Sequence, residues 1–246
     1  MPRRVSLPNR AGIVERGARV NSSVDTAGRT RFRDRSEAGR VVAEELSHYA
    51  GRDDVVVLAL PRGGVPVGYE VAKALGAPLD VFVARKLGVP GYPELAMGAI
   101  ASGGVAVLDQ GLVQSLGISK EAIRQVVAQE ARELERREAA YRDGRPPPDL
   151  EGKTVILVDD GLATGATMRA AALAVKDQGP ARVVVAVPVA AAQTCDEFRG
   201  DVDEIICALT PEPFNAVGMW YENFDQTTDD EVRELLARAA GREETS

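Results

Sequence analysis

Short runs of aliphatic and β-branched residues alternate with helical patterns over most of the chain. The runs predict strands at 55–60, 79–84, 154–159, 182–187 and 203–209. The helical patterns predict helices at 36–50, 65–76, 165–179, 190–199 and 228–240. Several strands are apolar on both faces, as in a parallel sheet covered by helices. The alternation predicts an α/β fold, a doubly wound and mostly parallel sheet of about five strands flanked by helices.

Two further segments depart from this alternation. Residues 84–104 contain five glycines and two prolines, a composition typical of a β-ribbon that carries a mobile loop. An ordinary solvent-exposed hairpin is the alternative for this segment. Residues 119–142 predict a long charged helix, and its narrow apolar stripe consists of Ile123, Val126, Val127 and Leu134.

Composition excludes several classes of protein. The chain has 246 residues, of which 45% are hydrophobic, enough for one large domain or two small ones. It has no run of 18 apolar residues and no apolar segment after its charged N-terminus, so we expect no transmembrane helix and no secretory signal peptide. Cys195 and Cys207 lack metal-ligand spacing, and we expect reduced, buried thiols in a cytoplasmic protein. His48 is the single histidine, which excludes most His-dependent triads and zinc sites.

Charge is distributed unevenly along the chain. The first 35 residues hold nine arginines and three acidic residues, although the formal net charge of the whole chain is −7. Residues 1–31 are therefore predicted to form a flexible basic arm, which precedes a core at 32–209 and a C-terminal region at 210–246. The acidic body argues against a dedicated nucleic-acid binder without excluding one.

The strand at 154–159 leads into two adjacent carboxylates, Asp159 and Asp160, within the stretch VILVDDGLATGATM. Ligands of open parallel sheets bind at the carboxyl ends of the strands. Backbone amides at a helix N-terminus bind anions, and small side chains let a phosphate approach them closely. The acids are expected to face another part of the same ligand, such as a ribose diol. The predicted phosphate turn consists of Ala163, Thr164, Gly165, Ala166 and Thr167.

Structural explanations compete with this functional one. The acids could cap the following helix, and the small residues could permit tight packing of helix on sheet. The attached T-G-x-T turn favours a functional site. Receiver domains also pair acids at a strand end, where they hold magnesium, but without this turn. The chain contains no G-x-x-x-x-G-K-[ST] loop, no G-x-G-x-x-G turn and no G-x-S-x-G elbow.

The stretch VILVDDGLATGAT resembles the loop of type I phosphoribosyltransferases that binds phosphoribosyl pyrophosphate (PRPP). The form DDGLATGATM is especially similar to the adenine phosphoribosyltransferases. The resemblance covers the core from about Phe32 to Leu209, and it implies that residues 163–167 bind the 5-phosphate of PRPP. Some relatives carry a third acid at the position of Ala163, where it contacts the purine. This chain therefore lacks a general base at that position.

A second phosphate loop is predicted after the strand at 55–60. Pro61, Arg62, Gly63 and Gly64 offer backbone amides and a guanidinium to an anion, and Pro66 occupies the first helical turn, where proline is favoured. A plain Gly-Gly turn is the alternative. The family's pyrophosphate loop has this topological position, and two such loops on adjacent strands match a ligand with a phosphate at each end.

The resemblance also implies a role for the glycine-rich ribbon. In the family, a flexible loop closes over the reacting ligand, and a basic residue near its base contacts pyrophosphate. Arg85 and Lys86 match that role. Glu94 is a candidate for contacting the incoming base or the ribose.

A nucleobase pocket is harder to predict. Four of the eleven aromatic residues lie in PFNAVGMWYENF, as Phe214, Trp220, Tyr221 and Phe224. They form either a hood over a planar base or a plug in the C-terminal layer, and stacking and core filling are equally compatible with the pattern. Phe214 and Trp220 are the candidates for a base hood.

The resemblance implies a magnesium-dependent enzyme that transfers ribose 5-phosphate from PRPP to a nitrogen acceptor, such as a nucleobase, and releases pyrophosphate. Asp159 and Asp160 would hold the ribose diol, while Arg62, Lys86 and magnesium stabilise the leaving group. Magnesium would be held mainly by PRPP, with the two acids as candidate ligands directly or through water. A homodimer is expected. The alternatives are a non-catalytic PRPP or nucleotide-binding regulator and a sugar-phosphate hydrolase.

Overall fold

The computed structural model describes residues 31–241. The basic arm predicted at 1–31 therefore lies outside the described residues, apart from Arg31. Within the described range, no helix is both long and apolar enough to cross a membrane.

Eight strands and seven α-helices make up the described chain. The strands are β1 (Val55–Ala59), β2 (Leu79–Val81), β3 (Ala84–Val89), β4 (Tyr92–Ala101), β5 (Val105–Leu108), β6 (Thr154–Val158), β7 (Arg182–Val189) and β8 (Glu204–Leu209). The helices are α1 (Arg35–Glu45), α2 (Gly64–Leu75), α3 (Gln110–Ser115), α4 (Lys120–Arg142), α5 (Ala166–Lys176), α6 (Ala192–Phe198) and α7 (Asp229–Ala240). Short 3₁₀ helices occupy Ser47–Tyr49 and Val217–Trp220.

A five-stranded parallel sheet forms the centre of the fold and confirms the predicted class. The strand order is β2-β1-β6-β7-β8, and every neighbouring pair is parallel. Each strand lies within or overlaps a predicted apolar run. β2 ends earlier than predicted, because the Val83 amide donates to Ser102 Oγ and the chain leaves the sheet there. Ala59 is paired with Val158, so β1 and β6 end side by side.

Helices cover both faces of this sheet. On one face, Val57 and Ile156 pack in the same core as α2 and α7. On the other face, Leu58 and Leu157 pack in the same core as α5. Both faces of each central strand are thus buried, and this explains why the sequence shows continuous apolar runs.

A separate antiparallel sheet has the order β3-β4-β5. Its first two strands form the ribbon predicted at 84–104, while β5 and α3 are not predicted by the apolar pattern. Leu87, Met97 and Ile100 anchor the base of the ribbon in the main core, whereas Tyr92 near its tip is 72% exposed. The long helix is confirmed as α4, and its Leu134 is buried in the same core.

Cys195 of α6 and Cys207 of β8 form a disulfide, so the prediction of two reduced thiols is wrong. The cysteines are 12 positions apart in the chain, and that spacing alone does not indicate a pair. α6 folds back along β8, which brings the two Cα atoms to 6.8 Å, within reach of a disulfide.

Candidate active site

The two predicted phosphate loops meet at the adjacent ends of β1 and β6. A Cβ atom on Gly63 would lie 2.0 Å from Asp160 Oδ2, and one on Gly64 would lie 2.8 Å from the Val158 carbonyl oxygen. Only glycine at these two positions permits such a close approach of the Pro61–Gly64 loop to the loop that carries the two acids. The Pro61–Arg62 peptide bond is cis. The structure therefore brings Pro61–Gly64 directly against Asp159 and Asp160.

The turn from Ala163 to Thr167 is open to solvent above a buried glycine. Gly165 adopts φ +69°, and a Cβ atom there would lie 2.5 Å from Phe198 Cε2, so a side chain would be strained and crowded from below. Thr194 Oγ1 donates a 2.6 Å hydrogen bond to the Ala163 carbonyl. The other four residues of the turn are exposed: Ala163, Thr164, Ala166 and Thr167.

The hydroxyl groups of this turn are available to a ligand. Among the described residues, neither Thr164 nor Thr167 forms a side-chain hydrogen bond. Helix α5 begins beside them, and its N-cap residue, Gly165, provides no side-chain cap. An anion can therefore meet backbone amides and free hydroxyls at one helix N-terminus.

Helix capping distinguishes the ligand edge from most of the molecule. Side chains of Asp34, Asp109, Ser119 and Thr228 cap α1, α3, α4 and α7. The two helices at the phosphate loops, α2 and α5, have Gly63 and Gly165 as N-cap residues and so lack a side-chain cap; the short helix α6 also lacks one. The amides at the start of α2 and α5 are thus left to the backbone or to a ligand.

Asp159 and Asp160 are half-buried and lie close together. Asp159 Oδ1 accepts a 2.8 Å hydrogen bond from the Asp160 amide. Burial raises the pKa of Asp159 well above its ordinary value, and the neighbouring Asp160 carboxylate raises it further. Burial also raises the pKa of Asp160, but the Arg35 guanidinium opposes that shift. The two acids therefore differ in environment, and Asp160 is the one with a cationic partner.

Arg35 is the residue of this site that the sequence pattern does not reveal. Its Nε atom lies 2.9 Å from Asp160 Oδ2, and Nη1 donates to the Asp225 carbonyl at 2.7 Å. The guanidinium carbon also lies 4.0 Å from the centre of the Phe224 ring, a cation–π contact. Arg35 connects the start of α1 to the acid pair and to the C-terminal region. No local motif marks it, because its acidic partner is 125 residues away.

The aromatic segment combines core filling with an exposed surface. Tyr221 is buried, and its hydroxyl donates to the Asp160 carbonyl oxygen at 2.6 Å. Phe214 and Trp220 are half-buried against the cluster that contains Phe32. Trp220 Nε1 is buried without a hydrogen-bond partner among the described residues. Phe224, by contrast, is exposed beside Arg35. Tyr221 thus matches the predicted plug, while a hood formed by Phe214 and Trp220 stays a prediction.

The three cations that are predicted to contact pyrophosphate, two in the ribbon and one in the Pro61–Gly64 loop, already lie beside carboxylates. Arg85 Nε donates to Glu130 Oε2 of α4 at 2.5 Å. Lys86 Nζ lies 3.3 Å from the Glu94 carbonyl oxygen and 3.4 Å from its Oε2. Arg62 Nη1 lies 3.8 Å from Asp229 Oδ1. The pyrophosphate contacts predicted for these cations would therefore require them to exchange partners.

No group of three or more His, Cys, Asp or Glu side chains that could hold a metal ion occurs among residues 31–241. Two adjacent carboxylates nevertheless fit the way proteins bind Mg²⁺, which keeps most of its waters and takes one or two carboxylates together with substrate phosphates.

Comparison with known proteins decides the family. The family described as "Phosphoribosyl transferase domain" matches residues 34–221, a range that contains both loops, the acid pair and Arg35. The chain belongs to this family.

Similar proteins agree with this phosphoribosyl transferase assignment. "Putative phosphoribosyl transferase Rv0571c" of Mycobacterium tuberculosis is 49% identical over 208 residues, which cover 85% of this chain and 47% of that protein. The crystal structure of TT1426 from Thermus thermophilus has a TM-score of 0.76 at 42% identity, and covers 85% of this chain and 98% of the other. The chain thus spans about half the length of the curated relatives it matches.

Proposed function

We propose that this phosphoribosyl transferase domain transfers ribose 5-phosphate from PRPP to a nitrogen acceptor, with release of pyrophosphate. The observation that carries the proposal is the placement of Asp159 and Asp160 between two glycine-containing loops at the carboxyl edge of the sheet. One loop precedes α2 and the other precedes α5, and neither helix has a side-chain cap. A ligand with a phosphate at each end and a diol between them matches this arrangement.

In this proposal, the start of α5 holds the 5-phosphate. Residues 163–167 offer backbone amides and two free hydroxyls, and none of these five residues carries a negative charge. The Pro61–Gly64 loop holds the pyrophosphate through the Arg62 side chain and the backbone amides of Arg62 and Gly63. Pro61 has no N–H, and the Gly64 amide already donates to the Leu60 carbonyl. Because the two loops meet on either side of the acid pair, one PRPP molecule would span the pair with its ribose above the carboxyl groups.

The two acids contribute differently to the reaction. Positive charge develops on the ribose when pyrophosphate leaves, and a nearby carboxylate stabilises it. Asp160 is the better candidate for this negative charge, since Arg35 favours its ionised form. Burial and the neighbouring Asp160 raise the pKa of Asp159, which favours its protonated form. This form is suited to hydrogen-bond a ribose hydroxyl. Magnesium, carried mainly by PRPP, would neutralise pyrophosphate oxygens.

The acceptor site is proposed to lie toward the aromatic segment. Arg35, Phe224 and Tyr221 link that segment to Asp160, so an acceptor stacked there would approach the ribose. Ala163 supplies no general base, so we propose an acceptor nitrogen that is nucleophilic on its own or loses its proton to water. The base hood of Phe214 and Trp220, the homodimer and the cytoplasmic location stay predictions.

The experiment that tests this proposal is an acceptor screen. Purines, pyrimidines and simple amines are incubated with the protein, PRPP and Mg²⁺, and pyrophosphate release is measured with and without acceptor. We expect acceptor-dependent release that Asp160→Asn reduces strongly. Release without any acceptor would instead identify a hydrolase. PRPP binding without release for any acceptor would identify a non-catalytic regulator.

A further inference from the structure

The short helix α6 supports the turn at 163–167 through contacts from both of its ends. In its first turn, Thr194 Oγ1 donates a 2.6 Å hydrogen bond to the Ala163 carbonyl oxygen. In its last turn, the Phe198 ring is fully buried and lies against Gly165, where a Cβ atom would be 2.5 Å from Phe198 Cε2. The geometry of the turn therefore depends on how firmly α6 is held.

The two ends of α6 are held in different ways. Phe198 packs the last turn into the core, and the Arg169 guanidinium carbon lies 4.9 Å from the centre of its ring. The first turn has no side-chain cap, and a helix of seven residues is marginal without tertiary contacts. Cys195 lies in this first turn, next to Thr194, and its disulfide with Cys207 joins it to β8. The disulfide is thus a covalent anchor for the end of α6 that carries Thr194.

One side of this disulfide is open to a reductant. β8 is an edge strand of the parallel sheet, and its Cys207 is half-buried, whereas Cys195 is buried. A thiolate of a dithiol reductant can attack the Cys207 sulfur, which forms a mixed disulfide and releases the Cys195 thiolate to take up a proton. The second thiol of the reductant then displaces the Cys207 sulfur, which also becomes a thiol, and the reductant leaves as an internal disulfide. The chain gains two electrons and two protons.

We propose that the Cys195–Cys207 disulfide is a redox switch for the turn at 163–167. In the oxidised chain, the disulfide keeps Thr194 against the Ala163 carbonyl. Reduction frees the first turn of α6, the Ala163 carbonyl loses this donor, and the turn no longer keeps one geometry for an anion. Phe198 stays packed, so the chain remains folded. The structural switch stands without the proposed function; only its effect on PRPP affinity rests on that function.

Hydrogen exchange tests the structural switch without any ligand. The wild type is oxidised with oxidised glutathione or reduced with dithiothreitol, and the double variant Cys195→Ala/Cys207→Ala controls for the reductant itself. The reporters are the backbone amides at position 195 and of Arg169, which are hydrogen-bonded in the first turns of α6 and α5. We expect reduction to speed exchange about tenfold at position 195, a fraction of the restraint that closing a loop of this length imposes, with a smaller increase at Arg169. The Leu60 amide, between β1 and β6, should exchange equally in both states.

The double variant should exchange as the reduced wild type does, with or without dithiothreitol. Equal exchange at position 195 in the oxidised and reduced wild type would overturn the proposal. Two reactive thiols per chain after oxidation would also overturn it.

Calorimetric titration of PRPP with Mg²⁺ tests the effect on the ligand. We expect reduction of the wild type to weaken PRPP binding roughly three- to tenfold, the worth of about one neutral hydrogen bond. Thr194→Val removes the hydroxyl that the disulfide positions, so it should bind PRPP as the reduced chain does and lose its dependence on redox state. Equal PRPP affinity in the oxidised and reduced wild type, or full redox dependence in Thr194→Val, would overturn the proposal. A wild type that binds PRPP in neither state would contradict the proposed function and leave the exchange comparison intact.

Discussion

The ligand edge of the parallel sheet and the antiparallel ribbon hold their functional groups in different ways. At the edge, Gly63, Gly64 and Gly165 sit so close to neighbouring atoms that added side chains would clash. In the ribbon, Arg85 and Lys86 are occupied by carboxylates of Glu130 and Glu94. The edge is thus prearranged for a ligand, whereas the ribbon must exchange ion pairs before it can contribute. The ligand edge should therefore determine the affinity for PRPP, and the ribbon should change its contacts after PRPP binds.

Substitutions of the acids at the ligand edge should have the largest effect on the reaction rate. Asp160→Asn should cost about 2–4 kcal/mol in transition-state stabilisation, a loss of kcat/KM of roughly 30- to 1000-fold by comparison with oxyanion-hole variants. Asp159→Asn should cost less, because the raised pKa of Asp159 already favours its neutral form. The measurement is steady-state pyrophosphate release with an acceptor from the screen. Asp177→Asn, at the opposite end of α5, is the control and should react normally. Wild-type rates in both acid variants would contradict the proposal that Asp159 and Asp160 hold the ribose diol.

Asn substitutions of the two acids should differ in their effect on the free energy of unfolding. Asp160→Asn leaves the Arg35 guanidinium without its carboxylate, and a partly buried charged donor that loses its partner costs about 1–3 kcal/mol. Asp159→Asn removes one of two crowded, half-buried acids and should not destabilise the fold. Urea denaturation of both variants gives the free energies of unfolding. Equal losses in the two variants would contradict the asymmetry that Arg35 imposes.

The ribbon should show a smaller effect, in turnover and in dynamics. Lys86→Ala should lower kcat about tenfold, the worth of one charge-assisted contact formed as pyrophosphate leaves, while PRPP affinity changes less. Lys120→Ala, at the start of α4, is the control for loss of one lysine.

Hydrogen exchange tests the same region directly. Backbone amides in 85–104 should exchange more slowly with PRPP and Mg²⁺ than without them, because the ribbon would close over the ligand. Amides in β1 and β6 should exchange equally in both states. Equal exchange in 85–104 would identify the segment as an ordinary surface hairpin.

The pH dependence of stability should give the smallest effect. The raised pKa of Asp159 means that the folded chain binds a proton more tightly than the unfolded chain does. The contribution of this group to the free energy of unfolding is therefore fully present below its ordinary pKa of 3.8. It is lost as pH rises through the folded-state pKa. As pH rises through that window, the unfolding free energy of Asp159→Asn should increase relative to that of the wild type. Above the window, the difference between the two should no longer change with pH. A difference that is constant with pH would show that burial leaves this acid unperturbed.

Local pattern was sufficient for the central sheet and for much of the site. Both faces of β1 and β6 are buried, which produces apolar runs that sequence alone reveals, and the acids follow directly in the chain. The apolar pattern does not predict β5 and α3, because Val105–Leu108 is short and partly exposed and α3 has only six residues, of which Val113 alone is buried.

Contacts between distant segments account for the rest. Arg35 reaches Asp160 across 125 positions, and Cys195 reaches Cys207 only because α6 folds back along β8. The pairing of Arg85 with Glu130 likewise depends on how α4 packs against the ribbon. Sequence indicated the chemical type of each of these residues, but their partners follow from tertiary packing.

The central claim is that the start of α5 binds the 5-phosphate of PRPP, and charge reversal at Thr164 tests it most directly. This side chain is exposed and has no partner among the described residues, so Thr164→Asp and the neutral, similarly sized Thr164→Asn should both fold normally. PRPP is titrated calorimetrically into the wild type and both variants with Mg²⁺ present. We predict a modest loss for Thr164→Asn and a loss of roughly 100-fold or more for Thr164→Asp, because its carboxylate would lie beside the phosphate. Equal PRPP affinity in the two variants would contradict the account.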